Sequence, residues 1–289
     1  MSSIAAPIAA PAPRFRPWRF VRRNPTLTAG AVILAFMALV AVLAPLLAGD
    51  PLLMQPAKRL RPPSPEFWLG TDALGRDVFA RTVYGARVSL LVGLSVATVS
   101  VLTGLTIGLL AGFFRTADTI VMRFMDGLMA IPAILLAIAL VSLTRASVFI
   151  VIVAITIPEI PRVVRLVRSV VLSVREAPYV EAAVSGGAPT WKILLRHIMP
   201  STFPPLIVQA TYICASAILI EASLSFLGAG TPPEIPTWGN MVASSRLFLS
   251  RAPWTIFAPG LALALVVLAV NLVGDGLRDR LDPRLARRM

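Results

Sequence analysis

The chain of 289 residues contains one cysteine and one histidine, and only 14% of its residues are charged. A single cysteine, Cys214, excludes a disulfide within the chain. The lone His197 has no cysteine, histidine or aspartate at metal-ligand spacing, so no metal site is expected. Soluble domains carry about 25% charged residues. The low charge and the hydrophobic content of 57% therefore exclude an ordinary soluble domain.

Motifs for nucleotide binding and nucleophilic catalysis are also missing. A phosphate-binding loop requires Gly-x-x-x-x-Gly-Lys-Ser/Thr, and the nearest match, residues 70–75, is followed by Arg76 and Asp77. No Gly-x-Ser-x-Gly sequence occurs, which argues against a serine hydrolase built on that turn. We therefore expect a chain that is not an enzyme and that binds no cofactor of its own.

The net charge of +13 does not indicate a nucleic-acid partner. The basic residues are not collected in one patch but flank apolar runs, which is how membrane topology is encoded in sequence. With six alternating spans and the amino terminus inside, about two of every three basic residues lie on the inside. This bias predicts that both termini are cytoplasmic and that the chain contacts membrane lipid.

Six apolar runs predict the membrane spans. They cover residues 25–49, 88–114, 127–144, 146–158, 198–220 and 252–274. About 20 apolar residues cross the hydrocarbon core as a helix, and the fourth run is short and meets Glu159. None of the runs has the alternation of a barrel strand, so each is expected to be helical. The predicted fold class is all-α, an integral membrane protein with six transmembrane helices.

The predicted spans divide the chain into four parts. The first is a cytoplasmic tail, residues 1–24, and the apolar run after it is too long for a cleaved signal peptide. The others are a first transmembrane helix with an extracytoplasmic connection (25–85), a core domain (86–275) with a cytoplasmic loop at about 175–200, and a cytoplasmic tail (276–289).

The cytoplasmic loop carries the most specific local pattern. Pro178 can open a short helix because proline fits the first turn, and Gly186-Gly187 can end it because glycine adopts the left-handed conformation of a helix stop. Thr190 is expected to cap the next helix, and Pro200 to bend the chain into the fifth span. This pattern predicts a short helix that lies across the cytoplasmic face and is joined at both ends to spans. Such a helix is a docking surface.

The same segment resembles the EAA loop of binding-protein-dependent ABC transporter permeases. The positions that match are Glu181, Ala182, Ala183, Gly187 and Pro200, with His197 and Met199 at the Ile and Leu positions of the pattern. A His followed by Ile-Met-Pro is similar to the dipeptide, oligopeptide and nickel branch. Val184 departs from the Arg that often follows the alanines in that branch.

Further segments resemble the same branch, and specifically its C-type permease subunit. They are residues 69–77, 84–90, 122–126, 221–228, 236–240, 252–254 and 271–283. The resemblance implies the type I importer permease fold and a location in the bacterial inner membrane. It implies a homologous B-type permease, two ATPase subunits that bind ATP and Mg²⁺, and an extracytoplasmic solute-binding protein as partners. Di- or oligopeptides are the first expectation for the solute, with nickel complexes or glutathione as alternatives.

Two sets of site residues follow from the resemblance and the pattern. The expected ATPase-coupling residues are Glu181, Ala182, Ala183, Gly187, His197 and Pro200. Possible translocation-path or gating residues are Arg123, Asp126, Glu221 and Asn271.

Several of these residues have a purely structural alternative. Arg123 and Asp126 can pair on one helix face. Glu221 is either a functional acid within the membrane or a residue near the outer interface. Gly104, Gly108 and Gly112 on the second span can serve close helix packing or, alternatively, a substrate path.

Two other classes of protein remain open at this stage. An ion-gradient secondary carrier would need buried acids or inverted repeats with broken helices, and the sequence has one such acid and no convincing repeat. A membrane scaffold that transports nothing would use the loop only structurally.

Overall fold

The computed structural model describes residue 22, residues 24–144 and residues 146–281. Within these residues the secondary structure is helical, and the pairing of Thr71 with Asp77 is an isolated bridge. The helices are α1 (Pro25–Val42), α2 (Ala44–Leu47), α3 (Val78–Phe113), α4 (Arg115–Met129), α5 (Ala133–Ser142), α6 (Val148–Val174), α7 (Pro178–Ser185), α8 (Thr190–Lys192), α9 (Met199–Phe226), α10 (Trp238–Ser245) and α11 (Trp254–Leu281). The predicted all-α class is confirmed.

Four of the predicted spans correspond to helical stretches that are long and apolar enough to cross a membrane. They are Pro25–Val42, Val78–Phe113, Thr190–Phe226 and Trp254–Leu281. The third predicted span corresponds to α4 and α5, which form a pair bent by 85° and would count as a fifth crossing. The bend precedes α5 at Pro132, which lacks an N–H and disfavours helical backbone at Ile131.

The fourth predicted span corresponds to α6, which is longer than the apolar run that predicted it. The helix continues past Pro158, Glu159 and Pro161 to Val174. Glu159 is fully buried, and its two carboxylate oxygens accept hydrogen bonds from Arg162 Nη1 at 2.9 and 3.2 Å. Because this partner compensates the charge, the acid does not end the helix.

The second long helix starts at Val78 instead of residue 88. Asp77 caps it, since its Oδ1 accepts a hydrogen bond from the backbone N–H of Phe79 at 2.8 Å. Arg81 lies within the first turns and is only 2% exposed. The sequence prediction began after the last arginine of this region and therefore missed the charged first part of the helix.

The closest helix packing joins α3 and α6. A Cβ added to three of the α3 glycines would lie 2.4, 2.7 and 2.6 Å from a valine Cβ of α6, in the pairs Gly104–Val163, Gly108–Val167 and Gly112–Val171. Only glycine allows this approach, and the packing interpretation of the three glycines is confirmed. Because the residue numbers rise together in these pairs, the two helices run parallel.

These contacts also define the two ends of the helix bundle. Arg175, just after α6, donates to the carbonyl of Gly112 at the end of α3, at 3.3 Å. Thr211 of α9 lies against Gly274 of α11, and Leu27 of α1 lies against Gly276. Residues 175–200 and the two ends of the described chain therefore lie at one end of the bundle. The connections 48–77 and 227–253, together with residues 143–144 and 146–147, lie at the other.

The outer surface of the bundle is apolar. Large exposed hydrophobic side chains recur along the long helices, among them Val32, Phe36, Leu94, Leu102, Phe257 and Leu261. The interior is filled mainly by valine, isoleucine, leucine and alanine. A bundle that is apolar on both its inside and its outside fits a hydrocarbon solvent, as expected for a multi-pass membrane protein.

Candidate functional site

We call residues 175–200 the coupling segment. It contains α7, which begins at Pro178 as predicted and ends at Ser185. Val180 is the buried side chain of α7, at 1% exposure, and it belongs to the main hydrophobic core. The helix is therefore attached to the bundle along one narrow edge, and the rest of its surface is available to a partner.

Two glycines end α7 as the sequence predicted. Gly187 has a φ of +73°, the left-handed conformation. The N–H of Ala188 donates to the carbonyl of Ala183 at 3.1 Å, and the N–H of Gly187 donates to that of Val184 at 2.9 Å. This pair of bonds is a Schellman motif. A Cβ added at Gly187 would meet nothing within 4 Å, so the glycine is required by its backbone conformation and not by packing.

The free surface of the coupling segment combines apolar side chains with one carboxylate. Tyr179, Val184, Trp191 and Leu195 are 50%, 54%, 65% and 50% exposed, and Glu181 is exposed beside them. Within the described residues no hydrogen bond or ion pair holds the Glu181 carboxylate. Exposed apolar side chains around an unpaired charge are typical of a protein-binding surface.

The chain returns from α7 to the bundle through a continuous helical stretch. Thr190 is the first residue of α8 and its side chain caps nothing, so the prediction of a Thr190 cap is wrong; Pro189 occupies the cap position. A π-helical turn, Ile193–Ile198, then leads into α9, with Pro200 in its first turn. Proline is tolerated in that turn. Thr190–Phe226 forms one helical span, so the chain enters the fifth span here but without the predicted bend at Pro200.

His197 and Tyr179 connect the two arms of the coupling segment. The Tyr179 hydroxyl donates to the carbonyl of His197 at 3.4 Å, and His197 Nδ1 lies 3.3 Å from the carbonyl of Lys192. Buried Ile193 and Ile198 fix the returning arm in the core. These contacts join α7 to the start of α9, so the two should move together.

Arginines on α6 form a row of ion pairs beside the coupling segment. Arg165 Nη2 lies 2.6 Å from Asp126 Oδ1, and Arg168 forms a bidentate pair with Asp118, with Nη2 2.7 Å from Oδ2. The alternative that Arg123 pairs with Asp126 is wrong. Arg123 is exposed and has no polar partner among the described residues.

The remaining candidates for the translocation path do not lie together in the structure. Glu221 is fully buried near the end of α9, where its Oε1 accepts from Ser225 Oγ at 2.9 Å. Asn271 lies on α11, and its Nδ2 donates to the carbonyl of Val267 at 2.9 Å. Among the described residues, no hydrogen bond or ion pair joins Arg123, Asp126, Glu221 and Asn271 to one another. Glu221 and the coupling segment lie at opposite ends of the bundle.

The sequence analysis did not predict one cluster of buried charged side chains. Asp72, Arg76 and Arg81 are buried together ahead of and within the first turns of α3, at 8%, 6% and 2% exposure. The only sequence signal was the segment 69–77, which was noted for its resemblance and not for its charges. Burial of two arginines could not be foreseen because the elements that cover them follow α9, far along the chain.

Comparison with known proteins identifies the relatives of the chain. The family described as binding-protein-dependent transport system inner membrane component matches residues 104–287. The N-terminal transmembrane domain of oligopeptide transport permease C matches residues 16–63.

Three curated relatives cover most of the chain. A probable peptide ABC transporter permease of Sinorhizobium fredii is 61% identical over 270 residues, which is 93% of each chain. A dipeptide transport system permease of Alkalihalophilus pseudofirmus is 41% identical over 275 residues, 93% of this chain and 90% of the relative. A glutathione transport system permease of Pectobacterium atrosepticum is 42% identical over 276 residues, 93% of this chain and 92% of the relative.

Proposed function

Because the chain belongs to the family of binding-protein-dependent transport system inner membrane components, we propose that it is the C-type permease of a peptide importer. It forms the translocation path with a homologous B-type permease. Two ATPase subunits dock on the cytoplasmic side and hold ATP and Mg²⁺, and an extracytoplasmic binding protein delivers the solute. Family membership argues against a secondary carrier and a scaffold that transports nothing.

The observation that supports this proposal best is the construction of α7. Its sharp stop at Gly187 is held by the left-handed backbone conformation and two backbone hydrogen bonds, and its exposed side carries Glu181, Ala182 and several apolar side chains. A surface that the chain does not use for its own packing is available to another protein. The small Ala182 and Ala183 allow close approach, and Glu181 supplies one charge to orient the ATPase.

The mechanism follows from the connections of α7. Closure of the ATPase dimer on ATP moves the docked helix, and the motion reaches α6 and α9 because α7 is linked to both. The Tyr179–His197 hydrogen bond and the continuous helical stretch Thr190–Phe226 keep the returning arm of the coupling segment rigid during this motion. The bundle then alternates between inward-open and outward-open packing, two states whose populations ligands shift from either side.

We propose di- or oligopeptides as the solute. Relatives named for peptide and dipeptide transport support this choice, and the peptide relative is 61% identical against 42% for the glutathione relative. The B-type permease and the binding protein share the selection of cargo. Both termini are proposed to be cytoplasmic, because the two ends of the described chain, at residues 24 and 281, lie at the same end of the bundle as the coupling segment.

The experiment that tests the docking role replaces Gly187 by arginine. A residue with a Cβ is strained at positive φ, and the longer side chain covers the docking surface. We expect peptide uptake and ATPase stimulation by the binding protein both to fall more than about tenfold, at an unchanged amount of inserted protein.

Two further variants control for general effects. Gly187→Asn keeps much of the activity because asparagine tolerates the left-handed conformation. Gly49→Arg places the same side chain on an exposed glycine after α2, outside the long helices, where an added Cβ meets nothing within 4 Å, and is expected to transport normally. Full uptake and full ATPase stimulation in Gly187→Arg would show that the docking role is wrong.

A further inference from the structure

A cavity with charged and apolar walls lies at the end of the bundle opposite the coupling segment. Its volume is about 480 Å³, within the range of small-molecule sites. It is lined by residues that precede and begin α3, the connection after α9, and α10. Arg76 and Arg81 line one wall, and Phe226, Leu227 and Pro232 supply apolar surface.

The arginine wall carries more positive charge than the chain neutralises. Asp72 is the acid within 4.0 Å of both guanidinium groups, and its Oδ2 lies 2.7 Å from Arg76 Nε but 3.8 Å from Arg81 Nε. The other oxygen of Asp72 is also engaged, since it accepts the backbone N–H groups of Leu74 and Arg76. One carboxylate therefore pairs with two buried arginines, and its contact with Arg81 is the longer and weaker of the two.

Arg81 also has an unused hydrogen-bond donor. Its side chain is 2% exposed, and Nη1 is buried without a hydrogen-bond partner among the described residues. Buried charged donors are almost always paired, so this one calls for a partner that the chain alone does not supply. The natural partner of a guanidinium group is a carboxylate, which it can hold through two parallel hydrogen bonds.

We propose that this cavity binds the terminal carboxylate of a transported peptide through the Arg81 guanidinium, with Arg76 on the same wall. The proposal rests on the proposed function, whose peptide-binding subsite it names. The cavity is larger than an inorganic anion needs, and its apolar side suits a peptide side chain. Arg81 lines the cavity, and binding requires its guanidinium to turn so that the buried Nη1 reaches the ligand.

The test measures binding to the purified assembly of this chain with its permease and ATPase partners, without the binding protein. Thermal unfolding is followed at rising concentrations of the dipeptide Ala-Phe and of its C-terminal amide, because a ligand of the folded state raises Tm. We expect the amide to need at least about tenfold higher concentration for the same shift, since it lacks the charge that Arg81 pairs with.

Two variants connect this preference to Arg81. Arg81→Met is expected to bind dipeptide and amide equally, with an unliganded Tm equal to or above that of the wild type, because it removes an unpaired buried charge. Arg87→Met is the matched control: Arg87 lies on the same helix, is exposed and has no polar partner among the described residues. It is expected to retain the wild-type preference.

Several outcomes would overturn the proposal. Equal shifts for dipeptide and amide in the wild type, or no shift at all, show that no carboxylate of the peptide binds there; a carboxylate of the binding protein then becomes the candidate partner. A much lower unliganded Tm for Arg81→Met assigns Arg81 a structural role. The wild-type comparison remains decisive if that variant does not assemble. Absence of ATPase in the purified assembly, or of peptide uptake by the wild type, contradicts the proposed function instead.

Discussion

The two ends of the bundle differ in how they use their side chains. At the coupling end, α7 inserts Val180 into the core and leaves Glu181, Val184 and Trp191 exposed. At the opposite end, Trp238 is fully buried and its Nε1 donates to the carbonyl of Thr82 at 3.0 Å. The opposite end thus uses a large aromatic side chain for the chain's own packing, whereas α7 leaves one side uncovered. An uncovered side is what a subunit needs if another protein binds there.

The glycines show the same difference. Gly104 is required because Val163 would lie 2.4 Å from an added Cβ, whereas Gly187 is required because its φ is +73° in open space. Substitution at the first site should affect the fold, and substitution at the second should affect coupling. Three further variants test this difference between the packed interior and the docking surface.

The largest effect is expected for Gly104→Leu. The leucine overlaps Val163 and separates α3 from α6, which costs about 3 kcal/mol or more in a packed interior. We expect a much lower Tm in detergent and little inserted protein. Gly127→Leu is the control, because an added Cβ there meets nothing within 4 Å. Equal Tm values for the two variants would contradict the close packing of α3 on α6.

An intermediate effect is expected for Val180→Ala. Removal of two buried methyl groups costs about 1–2 kcal/mol, and the loss is concentrated at the attachment of α7. Hydrogen exchange of the backbone N–H groups in residues 178–188 should become faster, while that of α3 and α6 stays unchanged. Val184→Ala, at a side chain that is 54% exposed, should leave exchange as in the wild type. Faster exchange throughout the bundle would refute the narrow attachment of α7.

The smallest effect is expected for Asp118→Asn. Arg168 and Asp118 are partly exposed, at 30% and 22%, so the pair should contribute about 0.2–1 kcal/mol. We expect a small decrease in Tm that shrinks further at high salt, because salt screens exposed charges. Arg123→Gln, at an exposed residue without a polar partner among the described residues, should change Tm by less. A decrease that is independent of salt would count against an electrostatic role for this pair.

Local signals made the coupling segment predictable from sequence. Pro178 at the start of α7 and Gly187 at its end act through backbone geometry within a few residues, so no knowledge of the rest of the fold was needed. The apolar runs likewise located the long helices. The Thr190 cap was wrong because Pro189 takes the cap position and fixes the backbone there.

The features that could not be predicted from the sequence depend on contacts between distant parts of the chain. Asp126 and Asp118 are 39 and 50 residues from their arginine partners. Glu159 looked like the end of a span because its complete burial depends on the packed bundle, although its partner Arg162 is only three residues away. The charged start of α3 was missed for the same reason, since buried Arg76 and Arg81 are covered by residues that follow α9.

The docking of an ATPase on α7 is tested most directly by site-specific cross-linking in the assembled transporter. In a Cys214→Ala background, Ser185→Cys places one thiol on exposed α7, and Glu234→Cys places one on an exposed residue at the other end of the bundle. With a short thiol-reactive photo-cross-linker, we predict a product with the ATPase from Ser185→Cys and none from Glu234→Cys. A product with the ATPase from Glu234→Cys, or none from Ser185→Cys in an active assembly, would contradict the account.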